Sequence, residues 1–447
     1  MKRFWLVLLS LGLVMAFSVS AFAVDVKVSG EYYAAGLYLN KTTVADLDTN
    51  PSTAFYFQRL RIGTDFVVSP CLKLVTRFDA MERIWGGARA GASDVDAQSA
   101  GTRAENENIA FDIAYIDYTS PVGLFKVGYM KDYEFGTVFG DRTNGPTSGQ
   151  IQYLVPVGPV ILFAGLAKEG DNSASAVTSS TKTDLDYDSY RLAVIFNFNT
   201  SQVKGETGVL GLFNRFASDK TGTPPYLQNV YLIDPYVKAQ IGPVALQAEL
   251  MYWFGDASKF EDGFPHSNVS INAWSVFLDA TANLGIVYVG GSFAYLSGDD
   301  PNTTNTVEGG VNTGGLDWNP CLIMFNTIDT AYWVGNLAGN GSASVVDGEM
   351  SNAYFFQGRV GVKPVPKVDA MMSVSFAAAD KKPAGYINSN YGWEIDATGT
   401  YKITNNLSYM LGIGYLFTGD YYKGKGLTGA NTIVDDYMLI NKLTLSF

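Results

Sequence analysis

Arg59, Arg61 and Asp65 fall on alternate positions of one segment, and Lys73, Arg77 and Asp79 likewise share one parity in the next. Leu60, Ile62 and Phe66, then Leu72, Leu74 and Phe78, occupy the intervening positions. Lys126 sits in the same way between Phe125 and Val127. Fixed charges at a period of two attract, repel and orient charged solutes; they make and break no bonds. Residues for bond chemistry are scarce. His266 is the only His among 447 residues, and it lies in a polar loop, Gly263-Phe264-Pro265-His266-Ser267. Cys71 and Cys321 stand far apart, with no Cys-x-x-Cys or Cys/His cluster to hold zinc. Gly309-Gly310 and Gly314-Gly315 follow no strand and open no helix, so a phosphate-binding loop is not indicated. No catalytic group, resident metal or cofactor is expected.

Charge and composition narrow the field further. The chain has 43 Asp+Glu against 31 Lys+Arg and a pI near 4.6. It lacks the basic footprint that phosphate backbones require, so nucleic acid is not an expected partner. A hydrophobic share of 47%, with 14% aromatic residues, excludes a disordered chain. Lys2 and Arg3 precede an apolar run over residues 4–17, and Ala21-Phe22-Ala23 supplies a small–x–small cleavage pattern. Residues 1–23 are therefore expected to be a secretory signal peptide. Losing Lys2 and Arg3 would move the formal net charge from −12 to −14. Beyond Ala23 no stretch approaches the roughly 18 apolar residues of a membrane helix.

The elements that must position these charges follow a dyad repeat. Tyr190, Leu192, Val194, Phe196 and Phe198 alternate with Arg191, Ala193, Ile195 and Asn197. Leu407, Tyr409, Leu411, Ile413, Tyr415 and Phe417 alternate in the same way, as do Tyr437, Leu439, Leu443, Leu445 and Phe447. A period of two over about ten residues is a strand with one apolar face. Short turns such as Ser69-Pro70-Cys71, Ser120-Pro121-Val122-Gly123 and Ile241-Gly242-Pro243 alternate with long polar connections. The long ones lie near 40–53, 86–107, 131–149, 170–185, 218–226, 256–268, 298–350, 381–389 and 420–432. Eight short and nine long connections predict an all-β chain: one transmembrane antiparallel β-barrel over residues 24–447, of 18 strands. Register is most exposed to error at the 200–206 turn and within 298–350, which makes 16 strands the second choice. The apolar set is expected to face lipid, and polar, Gly and small residues the lumen, the inverse of a soluble barrel. Tyr32, Tyr33, Tyr56, Tyr115, Tyr118, Tyr252, Tyr401 and Tyr437 are the candidate interfacial girdles.

Arg or Lys at the lipid mid-plane costs about 2–4 kcal/mol, so parity turns Arg59, Arg61, Arg77 and Lys126 inward as a basic pore wall. The plainer alternative is that the arginines only pair with Asp65, Asp79 and Asp112. The net charge of −14 points to cations, but most acidic groups lie in loops and inward acids (Glu249, Asp369, Glu394, Asp396) roughly balance inward bases (Arg191, Lys238, Arg359, Lys442), which leaves a weak cation preference. Asp299-Asp300 with Asn302, and Asp435-Asp436, are loop carboxylates that could meet calcium, although a solvated acidic loop is the simpler reading. Within 298–350, the apolar stretch containing Phe325, Ile328, Tyr332 and Trp333 is a short helix, an extra hairpin or a flap over the mouth.

The last strand ends in Phe447 with apolar residues at alternate positions behind it. This is similar to the C-terminal signal of Gram-negative outer-membrane barrels, which their assembly machinery reads. With the leader and the alternating loop lengths, the whole chain resembles the porin superfamily of Gram-negative outer membranes. In the 131–149 loop, Glu134-Phe135-Gly136 followed by Gly140-Asp141 is similar to the loop that folds into the lumen of trimeric general porins. In that family the loop carboxylates face a basic ladder on the opposite wall. The resemblance thus implies Glu134 and Asp141, with Asp132, as acidic constriction residues; an ordinary surface loop is the alternative. It also implies an outer-membrane location, a homotrimer latched through the second long loop (86–107), and passive diffusion of small hydrophilic solutes. A substrate-specific porin for sugars, oligopeptides or an oxyanion is the second reading, since 18 strands suit that group better. A structural or adhesive barrel is a third, and a barrel enzyme a fourth.

Overall fold

The computed structural model describes residues 24–41, 44, 46, 50, 52–86, 109–141, 146–172, 184–310, 317–331, 333, 350–423 and 432–447. The expected leader (1–23) and most of the expected latching loop (87–107) lie outside the described residues, as do 142–145, 311–316, Tyr332 and 334–349.

Where the sequence alternates, the chain is strand. The first six are β1 (Asp25–Leu39), β2 (Thr53–Ser69), β3 (Leu72–Ile84), β4 (Ile109–Ser120), β5 (Gly123–Lys131) and β6 (Thr147–Val157). Then come β7 (Val160–Gly170), β8 (Tyr187–Asn199), β9 (Val203–Phe216), β10 (Tyr226–Ile241), β11 (Val244–Phe260) and β12 (Val269–Leu284). The remainder are β13 (Val287–Leu296), β14 (Thr306–Val307), β15 (Ala353–Val365), β16 (Val368–Ala378), β17 (Asn390–Lys402), β18 (Leu407–Thr418) and β19 (Asp436–Ser446). Every strand except β14 pairs antiparallel with its neighbours, and β1 pairs with β19 from Glu31↔Ser446 to Leu39↔Met438. The result is a closed barrel of 18 strands, and closure removes every open sheet edge.

Both points of possible register failure resolve in favour of 18. β8 and β9 form a tight hairpin from Asn199↔Lys204 onward. Across the longest loop, β13 pairs directly with β15, from Val287↔Val362 to Leu296↔Ala353. β14 lies within that loop and adds only two parallel pairs to β12.

The dyad repeat sorts the two faces as expected. On β8, Leu192 is 68% exposed while its neighbour Arg191, on the other face, is 6% exposed. Aromatic rings form a belt near the long-loop end: Tyr190, Phe213, Tyr231 and Phe254 stack across four adjacent strands at centroid distances of 5.9, 4.8 and 5.3 Å. Phe125 and Tyr153 stack at 4.6 Å beside the short turns. From Tyr190 to Phe198 is about 27 Å along the strand at ~3.4 Å per residue. Tilted by about 40°, that is on the order of the apolar band of an outer membrane.

Of the girdle candidates, Tyr56, Tyr118 and Tyr401 are exposed on the outer face. Tyr33 and Tyr115 turn inward instead, beneath the cations of Arg59 and Lys126. Adjacent residues of a strand cannot share a face, so Tyr32 and Tyr33 could not both meet lipid. Phe447 closes the seam: its N–H donates to Gly30 O at 3.0 Å and its carbonyl accepts from Gly30 N–H at 2.8 Å.

The lumen is less polar than parity alone suggests. Phe57, Leu210, Leu232, Phe277 and Phe355 point inward and are buried. They are covered because two of the long loops fold back into the barrel.

Candidate functional site

The first inward segment follows β5. Gly136 has φ +90°, a left-handed conformation open to Gly, and lets the chain turn sharply into the lumen. A Cβ at Gly136 or at Gly140 would collide with Glu249 Oε1 on β11, so both glycines are needed for the segment to wrap around that carboxylate. Glu249 Oε2 accepts from Thr137 N–H at 2.7 Å and also from the Thr137 hydroxyl. Asp141 N–H donates to Thr137 O at 2.9 Å, closing one tight turn. Tyr133 donates its hydroxyl to Asp234 on β10 at 2.5 Å. Burial, and then the neighbouring Asp234, push the Tyr133 phenol well above its usual value, so it remains the donor. Phe139 lies flat on Phe277 of β12 with centroids 5.1 Å apart.

The second inward segment belongs to the 297–352 connection. Glu394 on β17 accepts from Ile323 N–H and Met324 N–H, both at 2.7 Å, one on each oxygen. Gln357 of β15 donates to Pro320 O at 2.6 Å, and Asp329 pairs with Lys442 of β19 at 3.1 Å. Residues Thr327–Ala331 form a single π-helical turn, and Trp333 packs on Phe57 at 4.5 Å. The apolar stretch is thus neither a hairpin nor a surface flap; it is packed inside the barrel. The two segments meet at Trp318, whose ring lies 5.4 Å from Phe139 and 5.0 Å from Phe277.

Both segments dock by one device. Backbone N–H groups, which carry no side chain to be read, donate to inward wall carboxylates. A hydrogen bond of this kind contributes about 0.5–1.5 kcal/mol net, and two on each carboxyl group are enough to hold a short segment in one place.

The residues expected to line a basic wall lie inward, each in its own setting. Arg61 forms a two-pronged pair with Asp79, both contacts at 2.7 Å. Arg77 holds Asp112, with Nε–Oδ2 at 2.9 Å. Arg59 stands over Tyr33 at 5.2 Å and reaches Glu82 at 3.8 Å. Lys126 stands over Tyr115 at 5.6 Å. Together with Asp132, Glu134, Gln152 and Arg191, Lys126 lines a cavity of about 120 Å³ beneath the first segment.

The loop acids separate in the same way. Asp132 binds Arg191 at 2.5 Å, and Arg191 also holds Glu169 at 2.7 Å. Glu134 reaches Lys131 at 3.2 Å. Asp141 lies at the end of the tight turn. The structure therefore brings Lys126 together with Asp132 and Glu134, while Arg59, Arg61 and Arg77 each engage an acid of the adjacent wall strand.

Arg191, Glu249 and Glu394 were legible as inward residues, but their work was not. Only Gly136 and Gly140, spaced to flank a side chain, hinted at it. Elsewhere, Cys71 is an exposed free thiol and Cys321 a buried one. Asp300 accepts from Asn302 N–H within its own turn, and Asp435 accepts from Thr418 N–H across the connection that joins β18 to β19.

In fold, the chain is similar to OpdK of Pseudomonas aeruginosa crystallised with vanillate, at 12% identity and TM-score 0.51 over 94% of this chain and 99% of that one. It is similar at the same values to a BenF-like porin from Pseudomonas fluorescens. OccK2 (OpdF) of Pseudomonas aeruginosa in complex with glucuronate matches at 12% identity and TM-score 0.51 over 96% and 99%. No family model and no curated protein matches the sequence. The shared property is the fold, a closed barrel of antiparallel strands.

Proposed function

We propose that this chain is an outer-membrane porin, a passive diffusion channel for small hydrophilic solutes, with its short turns toward the periplasm. One observation carries the reading. An 18-stranded barrel presents an apolar, aromatic-belted outside, while its charged inside is narrowed by two segments anchored to wall carboxylates. Such a surface is stable only against lipid, and such an interior against water. No reaction is proposed for it. Assembly as a homotrimer, and recognition of the Phe447-terminated strand by the barrel assembly machinery, belong to the same proposal and rest on the resemblance read from sequence.

The narrowing favours the substrate-selective form of this function over a wide-bore one. Vanillate and glucuronate, named with two of the fold neighbours, both carry a carboxylate. Among the described residues Lys126 has a ring beneath it and pairs with no carboxylate, and it shares its cavity with Arg191. A small carboxylate is thus the substrate class proposed for this chain, and Asp132, Glu134 and Asp141 the acids that border its route.

The test is single-channel conductance of the purified protein in planar bilayers. Small steps, reduced by millimolar aromatic or sugar carboxylates and not by neutral sugars, are expected. Large ohmic steps indifferent to solute would return the reading to a general porin. Absence of conductance from folded protein would leave a structural barrel.

A further inference from the structure

Cys321, Glu394 and Asp396 come together where the second inward segment meets β17. One ligand atom of each, the sulfur and two carboxylate oxygens, lies within 4.8 Å of the others, and all three residues are buried. Glu394 and Asp396 share the inward face of one strand, and Cys321 is presented to them by the docked segment two residues before Ile323. Asp396 is 2% exposed, and its Oδ2 accepts from the Ser373 hydroxyl at 3.4 Å. Its Oδ1 meets no hydrogen bond of good geometry among the described residues, the Glu394 carboxyl and the Leu322 backbone being the other polar neighbours of this carboxyl group. Behind the cluster is Gly414: a Cβ there would stand 2.6 Å from Asp396 Oδ1 and 3.3 Å from Glu394 Oε1. The missing side chain leaves room on the side where both carboxylates converge. A thiol and two carboxyl groups in a dry site, one oxygen without a well-formed hydrogen bond, are costly as anions unless a cation compensates them.

We propose that Cys321, Glu394 and Asp396 bind a divalent cation of the zinc class, tying the inward segment to the barrel wall. A sulfur ligand selects against magnesium and calcium, which take oxygen alone, and favours zinc or its softer congener cadmium. Metal–ligand bonds near 2.0–2.3 Å require ligand atoms roughly 3.5 Å apart, so the set closes by about 1 Å. The Cys321 side chain, carried by the loop and not by the wall, is the ligand that would supply that movement. On binding, the S–H bond breaks and an S–metal bond forms. The thiol proton, and any proton held between the two carboxyl groups, leaves to solvent; nothing is oxidised or reduced. Three protein ligands leave a fourth position for water. Neither Cys321 nor Asp396 takes part in the solute route described above, and the site rests on the fold alone.

Cadmium binding to the purified full-length chain tests this. A Cys71→Ser background removes the other free thiol, and far-ultraviolet circular dichroism verifies the barrel in each variant. One cadmium per chain is expected, with a thiolate-to-cadmium absorption band that Cys321→Ser abolishes. Asp396→Asn and Glu394→Gln, each close in shape to the original, should weaken binding about tenfold or more. Zinc should displace the cadmium; calcium should not. Equal affinity in the folded Asp396→Asn protein would mean a lone thiol and overturn the proposal. So would the absence of a band in the Cys71→Ser protein, leaving a carboxyl pair that only docks the loop. No readout depends on conductance, so failure here would leave the channel reading untouched, and the reverse also holds.

Discussion

Glu249 is the residue on which the first inward segment turns. Its carboxylate takes both the backbone N–H and the hydroxyl of Thr137, and two glycines clear the space around it. Glu249→Ala removes these acceptors and is expected to cost on the order of 2–3 kcal/mol of docking. Because that energy holds a segment across an open lumen, the effect should appear as higher single-channel conductance with added open-state noise. Gly140→Ala, which drives a methyl group into the same carboxylate, should act in the same direction. Unchanged conductance in both would mean that the Tyr133–Asp234 bond and the Phe139–Phe277 stack suffice. Alternation placed Glu249 on the inward face correctly. Its partner could not be read, because Thr137 lies 112 residues away and contributes a backbone N–H that nearly every residue possesses and a hydroxyl common to many.

At the scale of the strand, the sequence was nearly transparent. A ladder needs only local alternation and a turn, and both are written in consecutive residues, so the 18 strands and their outward faces followed. β14 did not follow, since two parallel pairs leave no periodicity to detect. Nor did the inward packing of residues 317–331, whose apolar residues have the composition of a core segment without naming the surface that receives them. The two faces of a strand make a measurable contrast. Leu192→Arg sets a cation on the lipid side of β8 near mid-span and should destabilise the barrel by about 2–4 kcal/mol. Thr398→Arg, on the inward face of β17, should change stability by no more than about 1 kcal/mol, because its guanidinium reaches water. Urea unfolding in lipid vesicles compares the two. Equal losses would mean that Leu192 and Thr398 do not lie on opposite faces of the barrel wall.

For the whole molecule the question is which charges a passing ion feels. Arg61, Arg77, Arg191 and Arg359 each lie within hydrogen-bonding distance of a carboxylate, so at a few ångströms their fields largely cancel inside the barrel. The surplus of acid in the chain, formally −12, is not used up by these pairs and falls mainly in the connections outside the strands. A field from the mouths and a field from the bore respond differently to salt. Mouth charges act through solution, where the screening length is about 30 Å at 0.01 M and about 3 Å at 1 M. Charges at a narrow, partly dehydrated constriction are screened far less. Reversal potentials across a fixed tenfold gradient should therefore show cation preference at low ionic strength and approach zero toward 1 M. Retention of the preference at 1 M would move its origin into the bore, with Glu134, the loop acid most open to the lumen, as the first residue to neutralise. In that event Glu134→Gln should abolish at high salt what the mouth charges cannot sustain, and leave the low-salt preference partly intact.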